Sequence, residues 1–409
     1  MGNLKTAKLI CVTNHENNNK FYNMRQLSSN EWEAEWGRVG VTSTKKVYFM
    51  RDWEKKYKEK IKKGYKDQTE LFIVDGVKKD FVDISDTSVA AIVRDLQAFA
   101  NRSVAANYTV TTDQVTQKQV KEAQKILDAL TQAVKKGRST KLFNDELLEL
   151  WMTVPRKIKN TREEILQFGT FNNKDKIDFA EKMLAEEQAT LDVMRGQVKV
   201  ATAQRGQKDD SPDLTILDAI GLTMAPVTAG DIKIINTQLG KFSNKFVCAW
   251  QVANERTRGQ FDGFLNKVNN KHQKLLWHGS RNENWWSILD SGLVLRPANA
   301  VITGKFLGYG TYFANKARKS YGYTSASGSY WARGNSSRCF MSLYDVFIGN
   351  PLITNKHESW MYKLNWDRLR KEGDYDSVYF KGGADLINDE IVVYREEQTT
   401  IKYLVELSS

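Results

Sequence analysis

Cysteine, histidine and proline are scarce in this chain of 409 residues, and two of these scarcities exclude whole classes of site. The three cysteines, Cys11, Cys248 and Cys339, lie far apart and form no Cys-x-x-Cys pair. That removes a zinc finger and a disulfide framework, and points to reduced, intracellular thiols. The four histidines, His15, His272, His278 and His357, show no ligand spacing, so no metal is expected. No apolar run is long enough to cross a bilayer and no secretory segment is visible, so no membrane partner is expected. Met1-Gly2 with Thr6 fits the loose myristoylation pattern, but a strand is expected from about Lys8, which favours chance. Acid is also short. Against 61 basic residues stand 49 acidic ones, a net charge of +12 and a pI near 9.3. That balance suits a polyanion, nucleic acid before membrane, and suits a plain soluble protein with a basic face equally well.

What is present divides into three regions, consistent with two or three domains at this length. Residues 1–80 carry short strand patterns at 7–12 and 20–26, joined by the turn-rich 15–19. In Glu31-Trp32-Glu33-Ala34-Glu35-Trp36-Gly37-Arg38-Val39-Gly40 the apolar residues alternate with charged ones, as on a half-buried strand. Gly37 and Gly40 are expected to bracket a turn that presents Arg38. Seven lysines then crowd residues 55–66 (Lys55, Lys56, Lys58, Lys60, Lys62, Lys63, Lys66), opposed by Glu59 alone. They form either a solvated helix face or a set of phosphate contacts.

Residues 85–205 read as helical. Thr116-x-x-Gln119 has the form of a capping box. Val120, Ala123, Ile126, Leu127, Leu130 and Val134 follow at helical spacing until Gly137. The pattern repeats over 143–151 and 177–194. A polar linker is expected over 204–212. Residues 213–409 mix strands (274–278, 311–314, 339–348, 390–394) with helices expected at 246–254 and 264–270, giving an α+β domain with a mostly antiparallel core.

Three segments of this last region hold the candidate chemistry. Leu275-Leu276-Trp277-His278-Gly279-Ser280 is a strand ending in a polar corner. Gly308-Tyr309-Gly310-Thr311-Tyr312-Phe313-Ala314-Asn315 is followed by Lys319-Ser320 and Tyr323. Asn388-Asp389-Glu390 opens the last strong strand pattern. In this order and with these flanks they resemble the catalytic domain of the poly(ADP-ribose) polymerases. The segment Asn19-Lys20-Phe21-Tyr22 with Trp36-Gly37-Arg38-Val39-Gly40 resembles that family's WGR domain. Residues 116–130 with 142–155 resemble its regulatory helical domain, though Trp151-Met152-Thr153 does not match. The resemblance is to the short, WGR-led, DNA-dependent members without zinc fingers. It implies a multidomain α+β protein: a small β-rich WGR domain (1–80), an all-α regulatory bundle (85–205) and an ADP-ribosyltransferase domain (213–409).

The resemblance also implies residue roles. NAD+ would be the co-substrate, and Glu390, His278 and Tyr312 the catalytic set. Gly279, whose bare backbone can approach a primary amide closely, would hold the nicotinamide carboxamide with Ser320. Tyr312 and Tyr323 would flank its ring, and His278, followed by Ser280, would hold the adenine-side ribose. Ala314 and Lys319 complete the expected NAD contacts. Glu390 would bond the other ribose and place negative charge near a cationic transition state; its presence favours chain extension. DNA ends or breaks would be met by Trp36, Arg38, Lys55, Lys56, Lys62 and Lys63. Acceptors would be nearby proteins, including the chain itself. An intracellular, DNA-associated protein follows: nuclear in a eukaryote, cytoplasmic or nucleoid in a bacterial or viral setting.

Singly, each residue has an ordinary alternative: a core histidine, a packing tyrosine, a solvent-facing glutamate. Two other functions stay open, a mono-ADP-ribosyltransferase on protein or nucleic acid and an inactive DNA-binding member. Gly308-Tyr309-Gly310 is not read as a dinucleotide fingerprint, because no third glycine and no βαβ pattern accompany it. The loop 296–307 has its own sequence, so no loop contacts transfer to it.

Overall fold

The computed structural model describes residues 4–73, 80–108, 115–167, 169–206, 213–295, 306–329, 332–334 and 336–409. By compactness the chain forms two units, Met1–Val77 with Asn101–Val198, and Lys78–Ala100 with Lys199–Ser409. Most of the first two expected blocks therefore shares one unit, while 85–100 and 199–205 belong to the other. The helices Thr87–Asn107 and Lys174–Gly206 each run across a boundary. The expected linker at 204–212 falls largely outside the described residues, as does 296–305 of the loop before Tyr312.

In the first unit, β1 (Thr6–Thr13), β2 (Asn18–Gln26), β3 (Glu31–Arg38), β4 (Thr44–Phe49) and the short β5 (Lys66–Asp67) form an antiparallel sheet ordered β4-β3-β2-β1-β5. The alternation in β3 sends Trp32 and Ala34 into a core with Leu9, Tyr22, Met24 and Trp53. Trp32 lies 5.0 Å from Tyr48 and 5.2 Å from Trp53, and its Nε1–H donates to the Phe49 carbonyl at 3.0 Å. Buried indole is satisfied this way because an unpaired N–H would forfeit its hydration.

Arg38 departs from expectation. It is the last residue of β3 rather than the tip of a turn. Its guanidinium donates to the carbonyls of Asn17 (2.8 Å), Ile158 (3.0 Å) and Lys159 (2.6 Å) and to Asn17 Oδ1 (3.2 Å). These bonds pin the segment after the helix Thr140–Thr153 onto the sheet, so Arg38 acts as an internal strut.

The helical part follows its sequence signals. Thr116 and Gln119 form the reciprocal capping box of the helix Gln117–Lys135. Gly137 lies just beyond its end at φ +60°, the left-handed conformation that glycine tolerates. Glu187 on the helix Lys174–Gly206 is buried, and accepts from Tyr108 Oη, Arg156 Nη1 and, at 3.2 Å, Trp151 Nε1.

Among its described residues the second unit has two larger sheets and a short antiparallel pair, β10 (Gly328–Ser329) with β11 (Ala332–Arg333). One sheet has the order β6-β7-β16-β12-β8, all antiparallel: β6 (Leu222–Pro226), β7 (Phe246–Asn254), β8 (Gln273–Gly279), β12 (Arg338–Phe347) and β16 (Thr399–Ser408). The other runs β13-β14-β15-β9: β9 (Thr311–Phe313), β13 (Pro351–Thr354), β14 (Ser377–Phe380) and β15 (Glu390–Val393). Among the described residues only β13 and β14 pair in parallel, so the mixed α+β, mostly antiparallel expectation holds.

Two helix expectations fail. Residues 246–254 are β7, whose Trp250 and Val252 face the core while Val247 and Gln251 face outward. β-Branched and aromatic residues with near-alternating burial suit a pleated surface better than a helix. The helix begins afterwards, at Glu255–Leu265, where the Asn254 side chain accepts from Thr257 N at 3.1 Å. It ends at Leu265, so 266–270 is turn and irregular backbone rather than helix.

Candidate functional site

Trp277 joins the two sheets. Its N–H donates to the Ala314 carbonyl at 2.8 Å and its carbonyl accepts from Ala314 N at 3.0 Å, an isolated antiparallel bridge. Fully buried, the Trp277 side chain fixes that seam in the core. The next residues, His278 and Gly279, therefore come beside Tyr312 and Ala314. β15, antiparallel to β9, adds Glu390 from a distant segment.

These residues line one cleft of about 770 Å³. His278, Gly279, Tyr312, Ala314, Lys319, Ser320, Tyr323 and Glu390 face it, with Phe306 and residues 385–388 at its sides. That size accommodates a dinucleotide-scale ligand. Ser280 is the exception: it is not among the lining residues, and its Oγ accepts from Asn284 Nδ2 at 3.0 Å.

His278 is held in one tautomer. Its Nδ1 lies 3.0 Å from the Tyr312 carbonyl, and a carbonyl only accepts, so Nδ1 carries the hydrogen. In the neutral ring Nε2 then keeps its lone pair and can accept from a hydroxyl. The rings of Trp285, Phe313 and Tyr344 surround it at 6.4, 5.8 and 6.2 Å. This burial pushes the imidazole pKa down, against the smaller effect of the Tyr312 bond.

Gly279 could not be another residue. A Cβ built there would lie 1.9 Å from the Ser320 carbonyl oxygen. The helix Ala317–Tyr321 packs its backbone onto the glycine, and the Ser320 hydroxyl donates to the Trp277 carbonyl at 3.1 Å. That leaves a cradle walled by backbone at Gly279 and Ser320. Gly308 and Gly310 are likewise packing glycines. A Cβ at Gly308 would meet the Leu364 carbonyl oxygen at 2.3 Å, and one at Gly310 would meet Val392 Cγ1 at 2.3 Å.

Tyr312, expected among the catalytic groups, lines the cleft with its hydroxyl tied to backbone. Its hydroxyl accepts from Leu307 N at 2.9 Å and donates to the Gly308 carbonyl at 3.0 Å. Burial drives its pKa far above the ordinary phenol value. Tyr323 is 53% exposed and forms the outer wall; burial of its hydroxyl and the nearby Glu390 charge raise its pKa.

Glu390 is 7% exposed, and its Oε1 lies 2.8 Å from Lys319 Nζ. The pair puts one negative and one positive group at the floor, where the low dielectric strengthens both.

Sequence reading missed Asp389 as a positioning residue, although it quoted the residue as a flank. Asp389 Oδ2 accepts from Tyr379 Oη (2.9 Å) and Asn315 Nδ2 (2.8 Å), and Oδ1 accepts from Gly382 N (2.9 Å). Despite burial, these bonds hold its pKa below the usual carboxylate value. They fix the entry to β15 and thus the direction of Glu390. Asn315 and Asp389 directly flank quoted motif residues, a signal that could have found them. Tyr379 lies on β14 and carried none. Among the described residues no cluster of His, Cys, Asp and Glu could hold a metal ion. No described helix is long and apolar enough to cross a membrane.

On the first unit, the expected DNA contacts are placed unequally. Trp36 is half-buried, stacked on Tyr22 at 5.8 Å. Lys55, Lys62 and Lys63 are exposed at the helix Trp53–Lys62 or just beyond it. Lys63 pairs with Glu59 at 2.7 Å, and Lys56 lies 3.5 Å from Glu59 and 5.6 Å from the Tyr48 ring.

Residues 233–409 match the poly(ADP-ribose) polymerase catalytic domain. The chain is 33% identical over 184 residues to the poly [ADP-ribose] polymerase-like protein 100L of Invertebrate iridescent virus 6, covering 44% of this chain and 94% of that one. It is 30% identical over 201 residues to uncharacterized protein 101L of the same virus, covering 49% and 81%. Against poly [ADP-ribose] polymerase 2 of Homo sapiens it is 45% identical over 69 residues, 17% of this chain and 12% of that one. With a matching catalytic domain, nearly all of a viral relative covered and the cleft assembled from the expected segments, the chain belongs to the poly(ADP-ribose) polymerase family and is an NAD+ ADP-ribosyltransferase.

Proposed function

We propose that the protein is a DNA-dependent poly(ADP-ribose) polymerase that modifies itself and nearby proteins at DNA ends or breaks. The observation that carries the transferase half is the cleft where His278, Gly279, Tyr312 and Glu390 meet. In the transfer, the bond between ribose and nicotinamide breaks, nicotinamide leaves with the electron pair, and a new bond forms to an acceptor that gives up its proton. The Gly279 backbone holds the carboxamide and the Tyr312 ring walls the nicotinamide. The lone pair of His278 Nε2 accepts from a ribose hydroxyl. Glu390 accepts from the other ribose, supplies negative charge to the cationic transition state, and orients the incoming nucleophile. Chain extension needs that last role, because the acceptor is then itself a ribose hydroxyl.

The DNA half rests on the WGR-like sheet, the lysine-rich helix Trp53–Lys62 and the net charge of +12. Exposed lysines at that helix suit phosphate contacts that carry no sequence reading. The helical region would hold back NAD until DNA is bound. The protein would act at intracellular DNA. Incubation with labelled NAD, with and without nicked DNA, tests this. We expect incorporation as a ladder that rises at least tenfold with DNA. Equal incorporation in both samples sinks the DNA switch, and a single discrete product shows mono-addition.

A further inference from the structure

His357 belongs to none of the segments that identify the cleft and does not line it, yet it joins two of its walls. Its Nε2 lies 2.5 Å from the Phe306 carbonyl, so Nε2 carries the hydrogen and donates. Its ring packs against Phe306 at 4.1 Å and against Tyr362 at 4.2 Å. Its backbone N–H donates to Asp385 Oδ2 at 2.6 Å. Phe306 lines the cleft on one side, and Asp385, Leu386, Ile387 and Asn388 line it on the other. One half-buried residue thus ties both sides.

The 385–388 side needs a tie. It leads into Glu390 and is held at its far end by Asp389. Behind it, Lys381 N donates to Thr354 O at 2.7 Å, and Gly383 N to Leu386 O at 2.8 Å. Ile387 is 93% exposed, an apolar lip with little packing of its own. Leu386 packs half-buried against the cluster of Phe380 and Tyr394, so the exposed Ile387 is the part of the lip that opens most readily unless hydrogen bonds hold it. That lip borders the cleft on the side of Glu390.

We infer that His357 is a positioning residue that sets whether the transferred ADP-ribose goes to an acceptor or to water. It does so by clamping Phe306 and residues 385–388 about the entrance beside Glu390. This rests on the transferase reading above. In both outcomes the ribose–nicotinamide bond breaks and nicotinamide leaves with its electron pair. The new bond forms either to the acceptor or to a water oxygen, and each gives up a proton. A clamped entrance holds an acceptor in line and limits water; a loose one favours hydrolysis.

The test compares wild type with His357→Ala, His357→Phe and His357→Gln, measuring nicotinamide release against label retained on protein. We expect the transfer-to-hydrolysis ratio to fall about tenfold in His357→Ala, the scale at which small misplacements are felt. His357→Phe keeps the ring packing and His357→Gln keeps a donor, so each should fall less. Hydrogen exchange at residues 385–388 should quicken in His357→Ala while the core strand β12 keeps its protection. A wild-type ratio with unchanged exchange overturns the proposal. So does a parallel loss of transfer, hydrolysis and thermal midpoint, which would mark a purely structural residue. Absence of NAD turnover in the wild type would defeat the transferase reading instead, and the exchange measurement would still decide whether His357 clamps the lip.

Discussion

Gly279, His278 and Glu390 carry different burdens, and their substitutions should fail differently. Gly279→Ala forces a methyl onto the Ser320 carbonyl, so either the Ala317–Tyr321 helix or β8 must shift. A displacement of that size at a positioned site costs about a hundredfold in kcat/KM, measurable by nicotinamide release. Glu390→Gln keeps the shape and removes the charge. It should lower turnover by about 10²–10³-fold, the range for losing one preorganised electrostatic group, and it also leaves the buried Lys319 ammonium without its partner, so a lower thermal midpoint accompanies the loss. His278 gives a pH signature. Its folded-state pKa lies below the ordinary value of about 6.5. Between the folded value and about 6.5 the unfolded chain binds more protons, so stability rises with pH through that window and falls on acidification. The acid limb of kcat/KM should therefore lie below pH 6.5 and vanish in His278→Ala. A limb centred above 6.5 would contradict the buried, neutral imidazole described here.

At the level of elements, legibility followed the kind of signal. The capping box at Thr116 and Gln119 and the strands β8, β9, β12 and β15 were readable, because capping chemistry and short apolar runs are local. β7 was not: its partners β16 and β6 lie far away in sequence or across an intervening helix, and apolar content alone fits either a buried helix or a strand. The site motifs were legible on the segments that meet in the cleft. The supports outside those segments were not, because Tyr379 and His357 act through contacts between segments. Arg38 shows the same limit, since the carbonyls that hold it come from residues 120 positions or more away as well as from Asn17. The buried Glu187 cluster is another support of this kind. Removing one partner of a buried charge pair costs about 3–5 kcal/mol, so Glu187→Ala should lower the denaturation midpoint sharply. Thr116→Ala should cost only about 1 kcal/mol by the same measurement.

For the whole molecule, the chemistry of one unit and the basic surface of the other pose a question of control. If the lysine-rich helix Trp53–Lys62 meets phosphate, DNA affinity should fall steeply with salt. Charge reversal at Lys55, Lys62 and Lys63 together should flatten that slope by about three, at roughly one per lost contact. The same triple variant should keep the basal NAD turnover of the cleft. The measurement that bears most directly on the account is incorporation of labelled NAD by wild type and Glu390→Gln side by side. The cleft described here predicts clear incorporation by the wild type and a loss of about 10²–10³-fold in the variant, with both proteins folded. Equal incorporation by the two, or none by a folded wild type, would contradict it.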